Sequence, residues 1–552
     1  MNRHRQTLVK ILIRAALAFG ILCAAAAKAT QVSQGFFNSI QMNVDANGDN
    51  ITGDAAQEPS IAIDAAQPDH FAASWKQFNA IGSSKRQAGH AYSADAGGAW
   101  TFPGVLSPGW QYTNMSLAAD SAGGLFFLGL EYDATGSFIQ QAQVFTSIDG
   151  GQTWAAPVSA YGADADKARI GVDNSGGASN GFIYLNWREG LPNQHFTRST
   201  DHGVSFEPPV DIPDNPSFGQ IAIAPNGNTY ISGHTENGAL DGLTLIYDNF
   251  LLAASLNAQD AAATPVFTTQ TLNLGGSPVM FQYQNNPNQF GPVGDVQIGA
   301  DVSSSALRGN LYILAPVQQT GTGDPLDLMF ISSVDGGVSW SGPLKINNDP
   351  PNPNAYQWFP MMGVAPNSRL DAVWYDTRDA LKPALSRLYY AYSWDGGITW
   401  RGNTPVTPSF NTQIGYPVGA QKIGDYGSLV SDAAGAHVAY TATYNGEQDV
   451  YYLHVFPDCN NNGVSDVTDI ANRVSGDVNH DHIPDECESF NVKGDVNHDM
   501  FVDLKDINLI MTARNQAAAR PSDPRDLDLN GIINILDARL DVLLCTRPNC
   551  AN

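Results

Sequence analysis

The chain has 552 residues, 43% of them hydrophobic and only 15% charged, with 53 glycines and 32 prolines. That length exceeds one ordinary domain, and the balance suits many short strands joined by tight turns. A formal charge of −26 argues against a nucleic-acid partner, because phosphate binding needs a basic face.

The N-terminus reads as a secretory signal. Arg3, Arg5, Lys10 and Arg14 lead into the apolar run Ala15–Ala27, and Ala27-Lys28-Ala29 fits a small-x-small cleavage site. The run is too short for a membrane span of about 20 residues, and no other stretch is long and apolar enough. Cys23 follows Ile21 and Leu22, which do not suit a lipid-attachment site. Removing residues 1–29 takes away five basic residues and no acidic one, so the mature chain is still more acidic. The expected location is secreted or cell-surface. Residues 30–57 are a lead-in.

One phrase then recurs: SADAGGAW at Ser93–Trp100, SIDGGQTW at Ser147–Trp154, STDHGVSF at Ser199–Phe206, SVDGGVSW at Ser333–Trp340 and SWDGGITW at Ser393–Trp400. Its physics is a hairpin turn, in which Asp accepts backbone N–H bonds and Gly permits positive φ. Two strand-like runs precede each copy, beginning with Ser60–Asp64 and Phe71–Trp75. Two further units, around Gln220–Phe250 and Gly427–Phe456, lack the phrase. Four-stranded units of this length read as propeller blades.

The phrase resembles the Asp-box, or BNR, repeat of sialidases, reelin and sortilin-type receptors. That resemblance implies an all-β, sialidase-like β-propeller over residues 58–456, with seven blades or, alternatively, six. It also implies that Asp95, Asp149, Asp201, Asp335 and Asp395 are structural, between the third and fourth strands of a blade and away from the active face. The phrases EPSIA, DKxxIxVD, WYDTRD and GDYxxL resemble a group of exported bacterial BNR proteins.

Sialidases use a Tyr nucleophile paired with Glu, plus arginines that grip the substrate carboxylate. The family's first arginine motif is absent here, where the chain reads EPSIAI. The catalytic candidates are Tyr375, Asp376 and Arg378 of WYDTRD, with Glu58, Asp425 and Tyr426; Arg169, Arg188 and Trp358 are candidate ligand-binding residues. The expected ring at the channel mouth is Glu58, Asn114, Lys167 with Arg169, Gln220, Asp295, Trp358, and Asp425 with Tyr426, where Trp358 or Tyr426 stacks on a sugar.

After Phe456 the composition shifts to Asp and Asn. Calcium takes six to eight oxygens, which a loop supplies from positions 1, 3, 5, 7, 9 and 12, with a backbone carbonyl at 7. Four segments have that spacing. They are Asp458, Asn460, Asn462, Val464, Asp466 and Asp469; Asp477, Asn479, Asp481, Ile483, Asp485 and Glu488; Asp495, Asn497, Asp499, Phe501, Asp503 and Asp506; and Asp526, Asp528, Asn530, Ile532, Asn534 and Asp537. Gly463 and Gly531 hold the sharp-turn position 6, where the other loops have His482 and Met500. The expected cofactor is Ca²⁺. Export makes disulfides plausible, and Cys459–Cys487 with Cys545–Cys550 is the preferred of three pairings.

The last two loops, each with a following helix at Leu504–Met511 and Ile535–Leu544, resemble a dockerin pair. Residues 494–552 are therefore expected to be a small dockerin-like α-helical domain, after calcium loops at 457–493. The resemblance implies a cohesin-like partner and a place in polysaccharide catabolism. The dockerin recognition pair falls on Leu504-Lys505 and Ile535-Leu536, in place of small hydroxyl residues. Two functions follow as expectations: a propeller binding a glycan or a cell-surface or matrix protein, or an exo-sialidase-like glycoside hydrolase.

Overall fold

The computed structural model describes residues 28–551, apart from 191–192, 242–243, 280–285, 320, 322, 381, 383, 419–420, 478–480, 488–493, 498–500, 519–522, 524, 529 and 547; for 236–247 only the backbone is described. The expected signal segment, and Asn479, Glu488, Asp499 and Met500 of the loops, therefore lie outside the described residues or in these gaps, save Lys28 and Ala29. The chain divides into two units, one ending at Val455 and one beginning at Phe456.

The first unit is a seven-bladed propeller. Its first blade runs Ala55–Ile63, Phe71–Phe78, Gln87–Ser93 and Val105–Leu106, antiparallel and in chain order from the inside outwards. Five more blades follow the same plan, with inner strands at Tyr112–Ala119, Ala165–Val172, Ile221–Ile223, Gln297–Ala300 and Gln357–Val364. The seventh takes Ser428–Ser431, Ala436–Ala442 and Asp449–Val455 from the end of the unit, then Phe37–Gln41 and Gln31–Gln34 from its beginning. The lead-in is thus part of the propeller, not outside it. Its strands finish the last sheet, which would otherwise present an unpaired edge. Asn43 locks this closure: its Nδ2 donates to Asp449 Oδ1 at 2.6 Å, and its Oδ1 accepts from Val450 N at 3.1 Å.

The core is divided among the seven blade-to-blade interfaces. Trp75 and Phe71 of the first blade pack with Val450 and Tyr452 of the seventh, and Trp374 of the sixth packs with Phe330 of the fifth. Strands buried on both faces explain why these segments read as nearly continuous apolar runs.

All five copies of the repeated phrase make one turn between third and fourth strands. The Ser hydroxyl donates to the Asp carboxylate at 2.7–2.8 Å, and the same carboxylate accepts the backbone N–H four residues on, at 2.9 Å. The following glycines, from Gly97 to Gly397, sit at φ of 84–87°, where a side chain would be strained. The seventh blade has no such turn because its fourth strand arrives from the N-terminus.

Among the described residues the second unit holds three α-helices: α1 (Asp466–Ala471), α2 (Leu504–Thr512) and α3 (Ile535–Leu544). A small core of Ile510, Ala513, Leu527, Ile533 and Ala538 lies between α2 and α3. Disulfides join Cys459 to Cys487 and Cys545 to Cys550. Among the described residues no helix is long and apolar enough to cross a membrane.

Candidate functional site

The site begins with a backbone irregularity that the inner strands share. The pairing register slips between Gln57 and Ser60, Thr113 and Ser116, Asp166 and Arg169, and Trp358 and Met361. Within each slip one residue is left-handed: Glu58 at φ 59°, Asn114 at 51°, Lys167 at 54° and Phe359 at 46°. Phe218, Gly294 and Gly424 hold positive φ just before the inner strands of the other three blades, at 57°, 143° and 110°. Bulges of this kind re-aim side chains, and non-glycine residues in this region carry strain that surrounding structure must hold.

What they aim at is the axis. Lys167 of the third blade bonds Asp425 of the seventh, and Arg169 of the third bonds Asp295 of the fifth. Blades that are not neighbours meet in this way only across the channel. Lys422 also pairs with Asp425 and lies 3.8 Å from Glu58, whose other oxygen is 2.5 Å from Lys76. Asp166 accepts from Asn114 at 2.8 Å and from Arg188 at 2.7 Å. The Arg169 guanidinium lies 4.3 Å from the Tyr426 ring centre, and Gln220 reaches Asp295 at 3.4 Å.

These contacts set the charge states. Burial works against an ionised Asp166, but Lys167 and Arg188 outweigh it and hold the carboxyl at about 2. Burial likewise opposes an ionised Asp425, and Lys167, Lys422 and Lys76 together keep it well below the ordinary range. Burial pulls Lys76 down to about 8 despite Glu58.

Above this network opens a cavity of about 550 Å³, lined by Lys76, Arg86, Tyr132, Asp166, Lys167, Lys422 and Asp425 among others. Arg86 donates to the Tyr132 hydroxyl and lies 5.5 Å from that ring's centre. It pairs with no carboxylate among the described residues. Phe138 and Phe290 also line the cavity and are 66% and 64% exposed.

Of the residues anticipated from sequence, Glu58, Asn114, Lys167, Arg169, Arg188, Gln220, Asp295, Asp425 and Tyr426 converge here. Trp358 does not: it is fully buried, against Phe359 and Tyr375, and cannot stack on a sugar. Tyr375 is also core, its hydroxyl donating to Thr441 O at 2.8 Å and accepting from Thr441 N at 3.0 Å. Asp376 is buried, takes bonds from Trp374 and Arg378, and Arg378 spans to Asp349 and Asn348. The WYDTRD segment is a clasp between strands. Sequence reading missed Lys76, Arg86, Tyr132, Phe138, Phe290 and Lys422.

In the second unit the loop carboxylates organise backbone N–H groups. Asp458 accepts from Asn462 and Gly463, Asp477 from Asp481 and His482, and Asp526 from Asn530 and Gly531, at 2.8–3.1 Å. The closing residues Asp506 and Asp537 each accept three N–H groups at 2.8–3.1 Å. Asp526, Asp528 and Asp537 bring carboxylate oxygens within 4.8 Å of one another. His482 takes φ 68° where Gly463 and Gly531 take 83° and 85°.

No family model matches the chain, and no curated relative matches it. Solved structures do. An ulvan lyase of polysaccharide lyase family 25 aligns over 78% of this chain and 94% of its own, at 13% identity and a TM-score of 0.42. A protein of unknown function from Dyadobacter fermentans covers 77% and 98%, at 12% and 0.41. An α-L-arabinofuranosidase from Fusarium graminearum covers 77% and 98%, at 10% and 0.40. What this chain binds has to be argued from its own residues.

Proposed function

We propose that the propeller binds an acidic glycan at the mouth of its channel. One observation carries the reading: Arg86 is a cation without a carboxylate partner among the described residues, in a cavity flanked by the exposed rings of Phe138 and Phe290. Sugar rings have apolar C–H faces that lie on aromatic surfaces, while a guanidinium suits a uronate carboxylate or a sulfate. The volume falls in the usual range for small-ligand sites, about 300–1,000 Å³. Four cations, Lys76, Arg86, Lys167 and Lys422, line the cavity against the three carboxylates of Asp164, Asp166 and Asp425.

Binding is favoured over cleavage. A general acid needs a carboxyl with a raised pKa facing the ligand. Asp166 is instead held low by Lys167 and Arg188, and Asp425 by Lys167, Lys422 and Lys76, while Asp295, raised by burial, is bonded to Arg169 outside the cavity lining. The second reading is a sialidase-like glycoside hydrolase, and the grouping of Tyr426, Glu58 and Arg169 favours it. Against it, the Tyr426 hydroxyl is committed to Met115 O at 2.9 Å and the residue is 7% exposed. A printed array of uronate-bearing, sulfated, sialylated and neutral glycans, with a parallel assay of sugar release, separates the two readings. Retention of acidic glycans without release supports binding; release supports hydrolysis; retention of neutral glycans alone defeats the acidic-ligand reading.

The tail we read as a calcium-tied module of an exported protein. The residues present fit a hard divalent cation. Asp541 of α3 is fully buried, neither of its carboxylate oxygens has a hydrogen-bond partner among the described residues, and burial with the nearby charges of Asp506 and Asp495 pushes it up to about 7. A Ca²⁺ ion in the third loop would be held by Asp495, Asn497 and Asp506 among others, and would offset that repulsion. Leu504, Ile535 and Leu536 are 44%, 48% and 51% exposed, so the pairs at the dockerin recognition positions are open to a protein partner.

A further inference from the structure

The far end of the seventh blade holds a cluster that the glycan reading does not use. The inner strand Ser428–Ser431 leaves the channel mouth at Tyr426 and ends in the turn of Asp432. Across that turn His437 and His454 are paired on adjacent strands, their rings parallel within 3° and 4.6 Å apart. Asp432, His437 and His454 each bring a ligand atom within 4.8 Å of the others.

Hydrogen-bond logic makes the cluster informative. The Tyr452 hydroxyl donates its one proton to Ala96 O at 3.1 Å. Its oxygen must therefore accept from His437 Nδ1, 2.8 Å away. A neutral His437 then has its lone pair on Nε2, and Nε2 faces Asp432 Oδ2 at 3.2 Å. Two acceptors at that distance need a positive species between them, a proton or a metal ion. Asp432 is pre-set for the role: its Oδ1 takes the N–H groups of Ala434 and Gly435 at 2.8 Å, leaving Oδ2 for the cluster. The Arg369 guanidinium, paired with Asp371 at 2.8 Å and 3.0 Å, holds the turn through Asp432 O and Ala433 O. A Cβ at Gly435 would fall 2.4 Å from both His454 Nε2 and the Val455 carbonyl oxygen, so the turn passes close over both strands.

We propose that Asp432, His437 and His454 bind a divalent transition-metal ion of the zinc class. Two imidazoles and a carboxylate with an open fourth position form an ordinary zinc set, and Tyr452 is the outer partner that fixes the His437 tautomer. The two rings are stacked, so capture requires each to turn about χ2, a broad torsion, to bring a nitrogen to the ion. The Asp432 side chain is 39% exposed, which gives an ion a way in.

The test uses the full-length protein, stripped with a chelator and then saturated with Ca²⁺ so that the tail carboxylates are filled. Zn²⁺ titration by calorimetry should show one site per chain, and Co²⁺ should give the strong visible absorption of a tetrahedral nitrogen–oxygen site. His454→Ala should weaken Zn²⁺ by more than about 100-fold, beyond the 10–100-fold cost of losing an outer partner. Asp432→Asn, nearly isosteric and able to accept the same turn bonds, should bleach the Co²⁺ spectrum while the metal-free protein still folds and melts cooperatively. No Zn²⁺ heat in the calcium-saturated protein, or equal binding by wild type and both variants, overturns the proposal and leaves a protonated His437 as the cation.

Discussion

Lys167 in the third blade reaches across the channel to Asp425 in the seventh, and both belong to the inner-strand ends where the backbone turns left-handed at Lys167 and Gly424. The pair is nearly closed to water, its side chains 10% and 4% exposed. It ties opposite sides of the ring and forms the floor of the cavity.

Removing one member of that network strands the rest. Asp425→Asn leaves Lys167 and Lys422 without their shared carboxylate. The expected loss is about 3–5 kcal/mol, the usual cost of an uncompensated buried charge. Denaturant titration measures it. Adding Lys167→Met should recover part of the loss, because one stranded ammonium is gone. A loss below about 1 kcal/mol in the single variant would mean that water screens the floor.

Asp149→Ala removes the acceptor for Ser147 Oγ, Thr153 N and Thr153 Oγ1. Its expected effect is a stability loss of about 1–2 kcal/mol, with ligand binding at the channel unchanged. Thermal melting and glycan titration of the same variant check both halves.

Stability should also depend on pH through Asp54. This carboxyl is buried, and burial with the charge of Asp449 raises it to about 7. The folded state then binds the proton more tightly than the unfolded chain, whose Asp titrates near 3.9. Asp54 therefore contributes most below about pH 4, and its contribution falls as pH rises towards 7. Asp54→Asn, which keeps the shape without the charge, should gain stability relative to wild type over that window. Chemical unfolding at several pH values follows the difference, and a constant difference would contradict the assignment.

Calcium should protect the second unit. Limited proteolysis of the whole protein in excess chelator is expected to trim the chain to a core ending near Phe456, and added Ca²⁺ should block the cuts. Mg²⁺ should substitute poorly, since it dehydrates reluctantly and demands tighter octahedral geometry. Equal cutting with and without Ca²⁺ would show that disulfides and the Ile510–Ile533 core suffice.

The repeat was legible because its turn needs Ser, Asp and Gly at fixed offsets, and the ring because each inner strand opens on a polar residue before an apolar run. Trp358 was misread for a definable reason. The pairing register slips between Trp358 and Met361, which breaks the alternation, and the indole packs on Phe359 and Tyr375 in the core instead of facing the axis. Lys76, Arg86 and Lys422 escaped because they enter from a second strand, from the residue just before a third strand and from a loop, where no periodicity marks them. The N-terminal strands were passed over because their partner is more than 400 residues away, at Tyr451–Leu453. Tyr375 looked catalytic by composition, whereas its fate depended on which blade face met Thr441.

Isothermal titration of an oligogalacturonate into wild type and Arg86→Ala is the most direct test of the acidic-glycan reading. Wild type should bind the acidic oligosaccharide and not its methyl-esterified form. Arg86→Ala should lose affinity by about 10-fold or more at an unchanged melting temperature, as expected for a charge-assisted contact of about 1.5–3 kcal/mol. Equal affinity of wild type for the acid and its ester, or undiminished binding by Arg86→Ala, would contradict a channel mouth built for an anionic sugar.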